Sequence, residues 1–308
     1  MDQFSYRLLS QLNLPNLSLI AIADLENGDT ELLDAKRNRS PIEYYFTCTP
    51  SLLLYALNNY PEVDLITYLD SDLFFFADPT PVYNEINASS IAIIGHRFPP
   101  SLRDLEQYGI YNVGWLSFRR DQHGVACLRW WRERCIEWCY DRCENGRFAD
   151  QKYLDDWPDR FPRVAILRHK GANLAPWNLA NYRIRGEGSR VWVDEQPLIF
   201  FHFHGLKQIG DWAVEPSLPC YNLRASSRAL RNIYSPYIRT LAEIRRTPEF
   251  QSSEILVPTG VRWVEAKCES SVYVPISHRT ARRLRELRHL WQGIRAGKYF
   301  LVINGRVI

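Results

Sequence analysis

Through residue 204 the chain alternates short apolar runs with stretches of helical period, and this alternation restricts the fold more than any other feature of the sequence. "DLITYLD", "SSIAIIGH", "YNVGWLSFR" and "RVAILRH" each have the length and composition of a strand. Among them lie "TPSLLLYALNNYP", with Thr49 as N-cap and Pro50 at the first helical position, and the long helical stretch "HGVACLRWWRERCIEWCYDRCENG", closed near Gly146. "FSYRLLSQLN" predicts a helix ended by Pro15, "LSLIAIAD" a strand, and "SRVWVDEQPLIFFHFHG" two strands around a tight turn. Such alternation specifies an α/β layered fold. After Cys220 the character changes: "SSRALRNIY", "SPYIRTLAEIRR" and "HRTARRLRELRHLWQGIRAGK" read as basic helices. The expectation is a main domain over 1–220 and a helical C-terminal extension over 221–308.

A chain of 308 residues with 46% apolar content can bury a substantial core. Its net charge of +3 gives no argument for a nucleic-acid partner and suits a groove for phosphate-bearing small molecules. Seven cysteines, with no CxxC pair, point to free thiols in a reducing compartment. Cys127, Trp131, Cys135, Cys139 and Cys143 recur every fourth residue, one slowly drifting helical stripe that reads as core packing. No apolar run reaches the ~20 residues of a spanning helix, and "MDQFSYRLLSQLNLP" lacks a signal-peptide pattern. The expected location is the cytoplasm.

Chemistry concentrates in a few places. In "DLITYLDSDLFFF", Asp70 and Asp72 end an apolar strand; residues two apart share a face, and the carboxyl end of a sheet strand looks into the ligand crevice of an α/β fold. Two carboxylates there suit a hard divalent cation, or they are a solvated strand end. In "PLIFFHFHGLK", His202 and His204 share a strand face and are followed by Gly205 and Lys207, which reads as a metal ligand beside a phosphate grip or as two satisfied core histidines. Asn112 and Gly114 stand where a loop becomes a strand. Asp150 and Gln151 stand at a helix start, where a carboxylate caps as readily as it catalyses. The loop "HKGANLAPWN" carries Lys170, Asn173, Trp177 and Asn178, types that suit sugar hydroxyls and ring faces as well as ordinary turns.

"YLDSDLFFF", "YNVGWLSF", "FADQKYLDDWP", "PWN" and "HFHG", in that order, resemble the GT-A fold nucleotide-sugar glycosyltransferases, and most of all the family 8-like enzymes with their bacterial cousins. The resemblance spans about residues 10–210. It implies a Rossmann-like nucleotide-diphospho-sugar transferase fold in which Asp70, Asp72 and His202 hold Mn²⁺ (or Mg²⁺) against the donor diphosphate, with His204 the less favoured ligand. It implies that Asn112 and Gly114 line the sugar pocket, that Asp150 and Gln151 contact the transferred sugar, and that Lys170, Trp177, Asn178, Gly205 and Lys207 lie on the donor side. Lys207 comes one residue earlier than the family's pattern places its lysine. The implied partners are a nucleotide-sugar donor and a saccharide or lipid-linked acceptor. The family's Asp-X-Asp follows a first strand that cradles the base, so its early position here implies a catalytic domain shortened at its N-terminus. An inactive relative acting as a binding protein is the alternative. A haloacid dehalogenase-type phosphohydrolase also places Asp-X-Asp after an apolar strand, but that pattern wants Thr or Val where Phe74 stands.

In the last basic helix, Leu284, Leu287, Trp291 and Ile294 form an apolar stripe among arginines. The face is either merely solvated or a peripheral contact for an anionic inner-membrane surface or a lipid-linked acceptor.

Overall fold

The computed structural model describes residues 1–250, except 13, 188–189, 210–212, 225–227 and 249, and residues 292–307, except 294, 297, 304 and 305. Most of the basic stretch 278–298, and its stripe from Leu284 to Ile294, lies outside the described residues.

In chain order the elements begin with α1 (Gln3–Ser10), α2 (Ile22–Glu26), α3 (Thr30–Lys36) and α4 (Pro41–Asn59). Then come β1 (Leu65–Leu69), β2 (Leu73–Phe75), α5 (Thr80–Ile86), β3 (Ile91–Gly95), β4 (Tyr111–Arg119), α6 (Gln122–Glu137), α7 (Trp157–Arg160) and β5 (Val164–Leu167). They continue with β6 (Ile184–Glu187), β7 (Arg190–Val193), β8 (Gln196–Pro197), β9 (Phe200–His202), β10 (Lys207–Ile209) and β11 (Ala213–Glu215). The last are α8 (Arg228–Ile244), β12 (Phe300–Ile303) and β13 (Arg306–Val307). The chain divides into two compact units, Met1–Leu174 with Glu195–His202, and Ala175–Asp194 with Phe203–Ile308.

The first unit is built on a sheet of order β1-β4-β3-β5. Strand β4 runs antiparallel to both β1 and β3, and β3 runs parallel to β5. β1, β3 and β5 therefore all point the same way, and their carboxyl ends meet the start of β4 along one rim. The pairing of β3 with β4 jumps from Ile93↔Leu116 to Ile94↔Asn112, so β4 bulges over residues 113–115 at that rim. Bulges re-aim side chains beside sites of this kind.

Both sheet faces are covered. On one, Ile91, Ile93, Leu116 and Phe118 pack with Leu53 and Leu57 of α4 and with Cys127, Leu128, Trp131 and Cys135 of α6. On the other, Ala92, Ile94 and Trp115 pack with Val82, Ile86, Ile199 and Phe200. The period-two alternation of β3 divides its side chains between these two cores. The cysteine stripe belongs to the first core as far as Cys139; Cys143 is exposed because α6 ends at Glu137 and the chain turns extended at Trp138.

Three local readings are corrected. "LSLIAIAD" forms no strand; it leads into α2, where Asp24 accepts a hydrogen bond from Ala21 N at 3.1 Å. Helix α4 starts at Pro41, not at Pro50. Ser40 and Glu43 form a reciprocal capping box with Pro41 at the first helical position, and Pro50 lies inside the helix. Helix α6 stops well short of Gly146.

In the second unit β10, β11, β12 and β13 form an antiparallel sheet in that order, and β6 and β7 form a hairpin. From Arg228 to Ile244 the two expected basic helices of this region are one helix, α8, that continues through Pro236. The region after Cys220 thus carries strands as well as a helix: β12 pairs with β11 by Val214↔Phe300 and Ala213↔Leu301.

Candidate active site

Three carboxylates and an imidazole gather at the rim where β1 ends. Asp70 directly follows β1 and keeps the β4 ladder going, its N–H donating to Gly114 O at 3.4 Å. The chain then turns through Asp72 into β2. That short strand pairs antiparallel with β9 in the register Leu73↔His202, Phe74↔Phe201, Phe75↔Phe200. The phenylalanines after Asp72 are therefore the ladder that brings His202 to the acidic pair. His202 Nε2 lies 3.0 Å from Asp72 Oδ1 and 3.7 Å from Asp70 Oδ2. Its backbone N–H is held by Leu174 O at 2.8 Å, and its side chain is buried.

The floor under this histidine is Gly114. A Cβ there would lie 2.9 Å from His202 Nδ1 and 2.5 Å from Asn112 Oδ1, so any larger residue would displace one or both. Asn112 is buried and tightly held. Its carbonyl accepts from Gly114 N at 3.1 Å, and its amide reaches His96 Nε2 and Gln151 Oε1, each at 3.3 Å. Gln151 in turn donates to Tyr108 O at 3.0 Å.

Asp150 does not cap the following 3-10 turn. Its side chain is buried, and burial, with the Asp70 carboxylate as a second cause, pushes its pKa up to about 8. The backbone beneath it is fixed by Trp131 of α6, whose Nε1 donates to Asp150 O at 2.8 Å. Asp70 is also raised, first by burial and then by Asp72, against the lowering effects of His202 and of the Tyr68 hydroxyl, which donates to Asp70 Oδ1 at 2.9 Å.

The first unit thus brings together Asp70, Asp72, Asn112, Gly114, Asp150, Gln151 and His202 of the residues singled out in the sequence. Lys170 also belongs to this unit and pairs with Glu195 at 3.1 Å. Asn173 lies in this unit too, its Nδ2 donating to Gly95 O at 3.4 Å. Trp177, Asn178, His204, Gly205 and Lys207 fall in the second unit. There Trp177 is buried edge-on to the His204 ring, and Asn178 Oδ1 closes a turn by accepting from Ala175 N at 3.0 Å. Gly205 adopts a left-handed φ of 66°, and Lys207 stands opposite Glu215 at the start of β10.

Sequence reasoning did not single out His96 or Tyr68. His96 is buried and stacked on Phe98 with ring centroids 4.7 Å apart. It directly follows β3 as Asp70 directly follows β1, and that shared position, a polar residue closing an apolar strand, is the signal that could have found it.

Asp70 and Asp72 thus each set a carboxylate oxygen beside His202 Nε2, at 3.7 and 3.0 Å, and carboxylate and imidazole are ligand types that suit divalent cations. Fold and site together define a mixed α/β protein with an acidic cluster at the carboxyl ends of its sheet strands. The chain is 38% identical over 215 residues to the uncharacterized protein YfnF of Bacillus subtilis (strain 168), covering 67% of this chain and 70% of that protein. It is 32% identical over 255 residues to the uncharacterized protein YfnD of the same organism, covering 82% and 80%. It belongs to the family of these two proteins. No family model matches it. A solved structure of a glycosyltransferase involved in the glycosylation of the major capsid of PBCV-1 aligns over 58% of this chain and 73% of that one, with a TM-score of 0.36 and 11% identity.

Proposed function

We propose that the protein is a metal-dependent glycosyltransferase that moves a sugar from a nucleotide-diphosphate donor to a saccharide or lipid-linked acceptor. The observation that carries this reading is the approach of His202 to both carboxylates of Asp70-Ser-Asp72, made by the pairing of β2 with β9. The ordered sequence resemblance to GT-A nucleotide-sugar transferases supports it independently.

In this reading Asp70, Asp72 and His202 hold one Mn²⁺ or Mg²⁺. A divalent cation bound there neutralises charge developing on a departing diphosphate. The chain's own residues do the rest. Asn112, locked by three hydrogen bonds, and Gly114 shape the sugar side of the site. Asp150, a buried carboxyl beside the acidic pair, offers a hydrogen-bonding group to a sugar hydroxyl, and its buried setting excludes water from that contact. Lys170, Trp177, Asn178, Gly205 and Lys207 are assigned to the donor side by resemblance.

The test is a panel of nucleotide sugars incubated with the protein in Mn²⁺, in Mg²⁺ and in chelator, with release of nucleoside diphosphate as the readout. At least one donor should be turned over in Mn²⁺ and not in chelator, and folded Asp72→Ala should lose that activity. Turnover that ignores both chelator and the variant would refute the reading.

A further inference from the structure

The hydrogen bonds around Asn112 fix which of its atoms faces which neighbour. Its side chain reaches Gly114 N at 3.1 Å, and His96 Nε2 and Gln151 Oε1 at 3.3 Å each. A backbone N–H only donates, so the amide oxygen of Asn112 faces Gly114 and the amide nitrogen faces the other two. Gln151 is oriented from its far end: its Nε2 donates to Tyr108 O at 3.0 Å, which turns Oε1 toward Asn112 as an acceptor. The hydrogens on the Asn112 nitrogen therefore go to Gln151 Oε1 and to His96 Nε2. That nitrogen cannot accept, so His96 Nε2 presents a bare lone pair, and the proton of the neutral ring sits on Nδ1. A proton on Nε2 would set one N–H against another in a buried place. The ring has little freedom to turn away. His96 directly follows β3, is buried and stacked on Phe98, and its backbone N–H donates to Ile110 O at 2.9 Å. The bond from Gly114 N to Asn112 also crosses the β4 bulge, where the regular pairing with β3 is interrupted.

We infer that His96 is a positioning residue: as the neutral tautomer protonated on Nδ1 it accepts from the Asn112 amide and so keeps the Asn112 oxygen on Gly114 N across the bulge. The orientation has a consequence for specificity. Both N–H groups of Asn112 are spent inside the protein, so the side chain can offer a ligand only an acceptor, which suits a donating group such as a sugar hydroxyl. That consequence rests on the reading of Asn112 as a sugar-side residue; the tautomer of His96 does not. His96 acts through Asn112.

The first test uses the wild-type chain: a nitrogen–proton correlation spectrum of the histidine rings at neutral pH, with the His96 signals identified by their absence in His96→Gln. Nε2 of His96 should resonate as an unprotonated nitrogen and Nδ1 as a protonated one. A proton on Nε2 overturns the inference, whether or not any other variant folds. The second test is hydrogen exchange at the Gly114 N–H in His96→Phe, which keeps an aromatic ring but has no acceptor, and in His96→Gln, which returns one. Exchange there should quicken by about tenfold in the phenylalanine variant and stay within about threefold of wild type in the glutamine variant, with the Leu116 and Phe118 amides unchanged in both. Unchanged exchange at Gly114 in His96→Phe overturns the inference. So does equal quickening at Leu116 and Phe118, which would mark a general loosening of β4. With a donor found by the panel above, His96→Phe should lower kcat/KM by about tenfold, and His96→Gln should restore most of it. If His96→Phe frees the Gly114 N–H while Asn112→Ala turns over donor normally, the positioning by His96 stands and the assigned sugar-side role of Asn112 fails.

Discussion

His202 rests directly on Gly114: a methyl group built on the glycine would stand 2.9 Å from Nδ1 and 3.0 Å from Cε1 of the ring. Glycine is needed here for space, because two chain segments meet with no room for a Cβ between them. Gly114→Ala should therefore push His202 away from Asp72, or break the bond between Asn112 and Gly114 N. Overpacking of this kind costs about 1–3 kcal/mol. Denaturant unfolding should show that loss, and Mn²⁺ titration should show weakened binding in the variant that remains folded. Wild-type stability together with wild-type Mn²⁺ affinity would mean the contact is looser than the structure shows.

The two histidines of "HFHG" should not be equivalent. His202 faces the carboxylates and is buried, whereas His204 belongs to the second unit and is exposed, with Trp177 against its ring. His202→Ala should weaken Mn²⁺ binding by about tenfold or more, roughly one lost ligand's worth of ~1.4 kcal/mol, and His204→Ala by much less. Equal losses would remove the reason for choosing His202.

Asp150 makes a pH prediction for the metal-free protein. Its pKa is raised to about 8 in the folded state, so between the ordinary carboxylate range and that value the folded chain holds a proton that the unfolded chain has released. Stability then falls as pH rises through this window. Asp150→Asn removes the titrating group. Its melting temperature relative to wild type should rise steadily from about pH 4 to about pH 8 and level off above. A difference that is flat with pH would show that the carboxyl is better solvated than its burial implies.

Thiol reactivity separates the core stripe from the surface. Cys48, Cys127, Cys135 and Cys139 are buried, and burial raises the thiols of Cys48, Cys127 and Cys135 above their ordinary range; Cys143 and Cys220 are exposed. Among these six, only the exposed pair should react with an aromatic disulfide reagent in the native protein, and the others only on unfolding. Trp131→Ala, which empties the centre of that core and removes the donor to Asp150 O, should cost about 3–5 kcal/mol in denaturant unfolding.

The sheet strands were legible because each is an apolar run bounded by polar turns, and the 64–76 stretch marked the rim of the site by its carboxylates alone. What the sequence did not show is how distant segments are joined. The phenylalanines after Asp72 gave no sign of being one half of a ladder with 200–202, since register depends on partners far along the chain. Thr49 and Pro50 imitated a helix start, because a hydroxyl residue followed by proline is the local pattern of a cap, whereas here the Thr49 hydroxyl bonds back to Tyr45 O at 3.3 Å inside α4. Ser40 and Glu43, nine residues earlier by Ser40's count to Thr49, held the true start. The strands β12 and β13 were hidden by the surrounding basic sequence, and they form by pairing, β12 with β11 and β13 with β12, an alternative that local helical propensity does not weigh.

The central claim is that Asp70, Asp72 and His202 together bind a divalent cation and a nucleoside diphosphate. The most direct measurement is calorimetric titration of Mn²⁺ into the protein with and without a panel of nucleoside diphosphates, for wild type and for Asp70→Asn/Asp72→Asn. Wild type should bind Mn²⁺, should bind one diphosphate more tightly when Mn²⁺ is present, and should lose both properties in the double variant. Diphosphate binding that is indifferent to Mn²⁺, or Mn²⁺ binding that survives in the double variant, would contradict it.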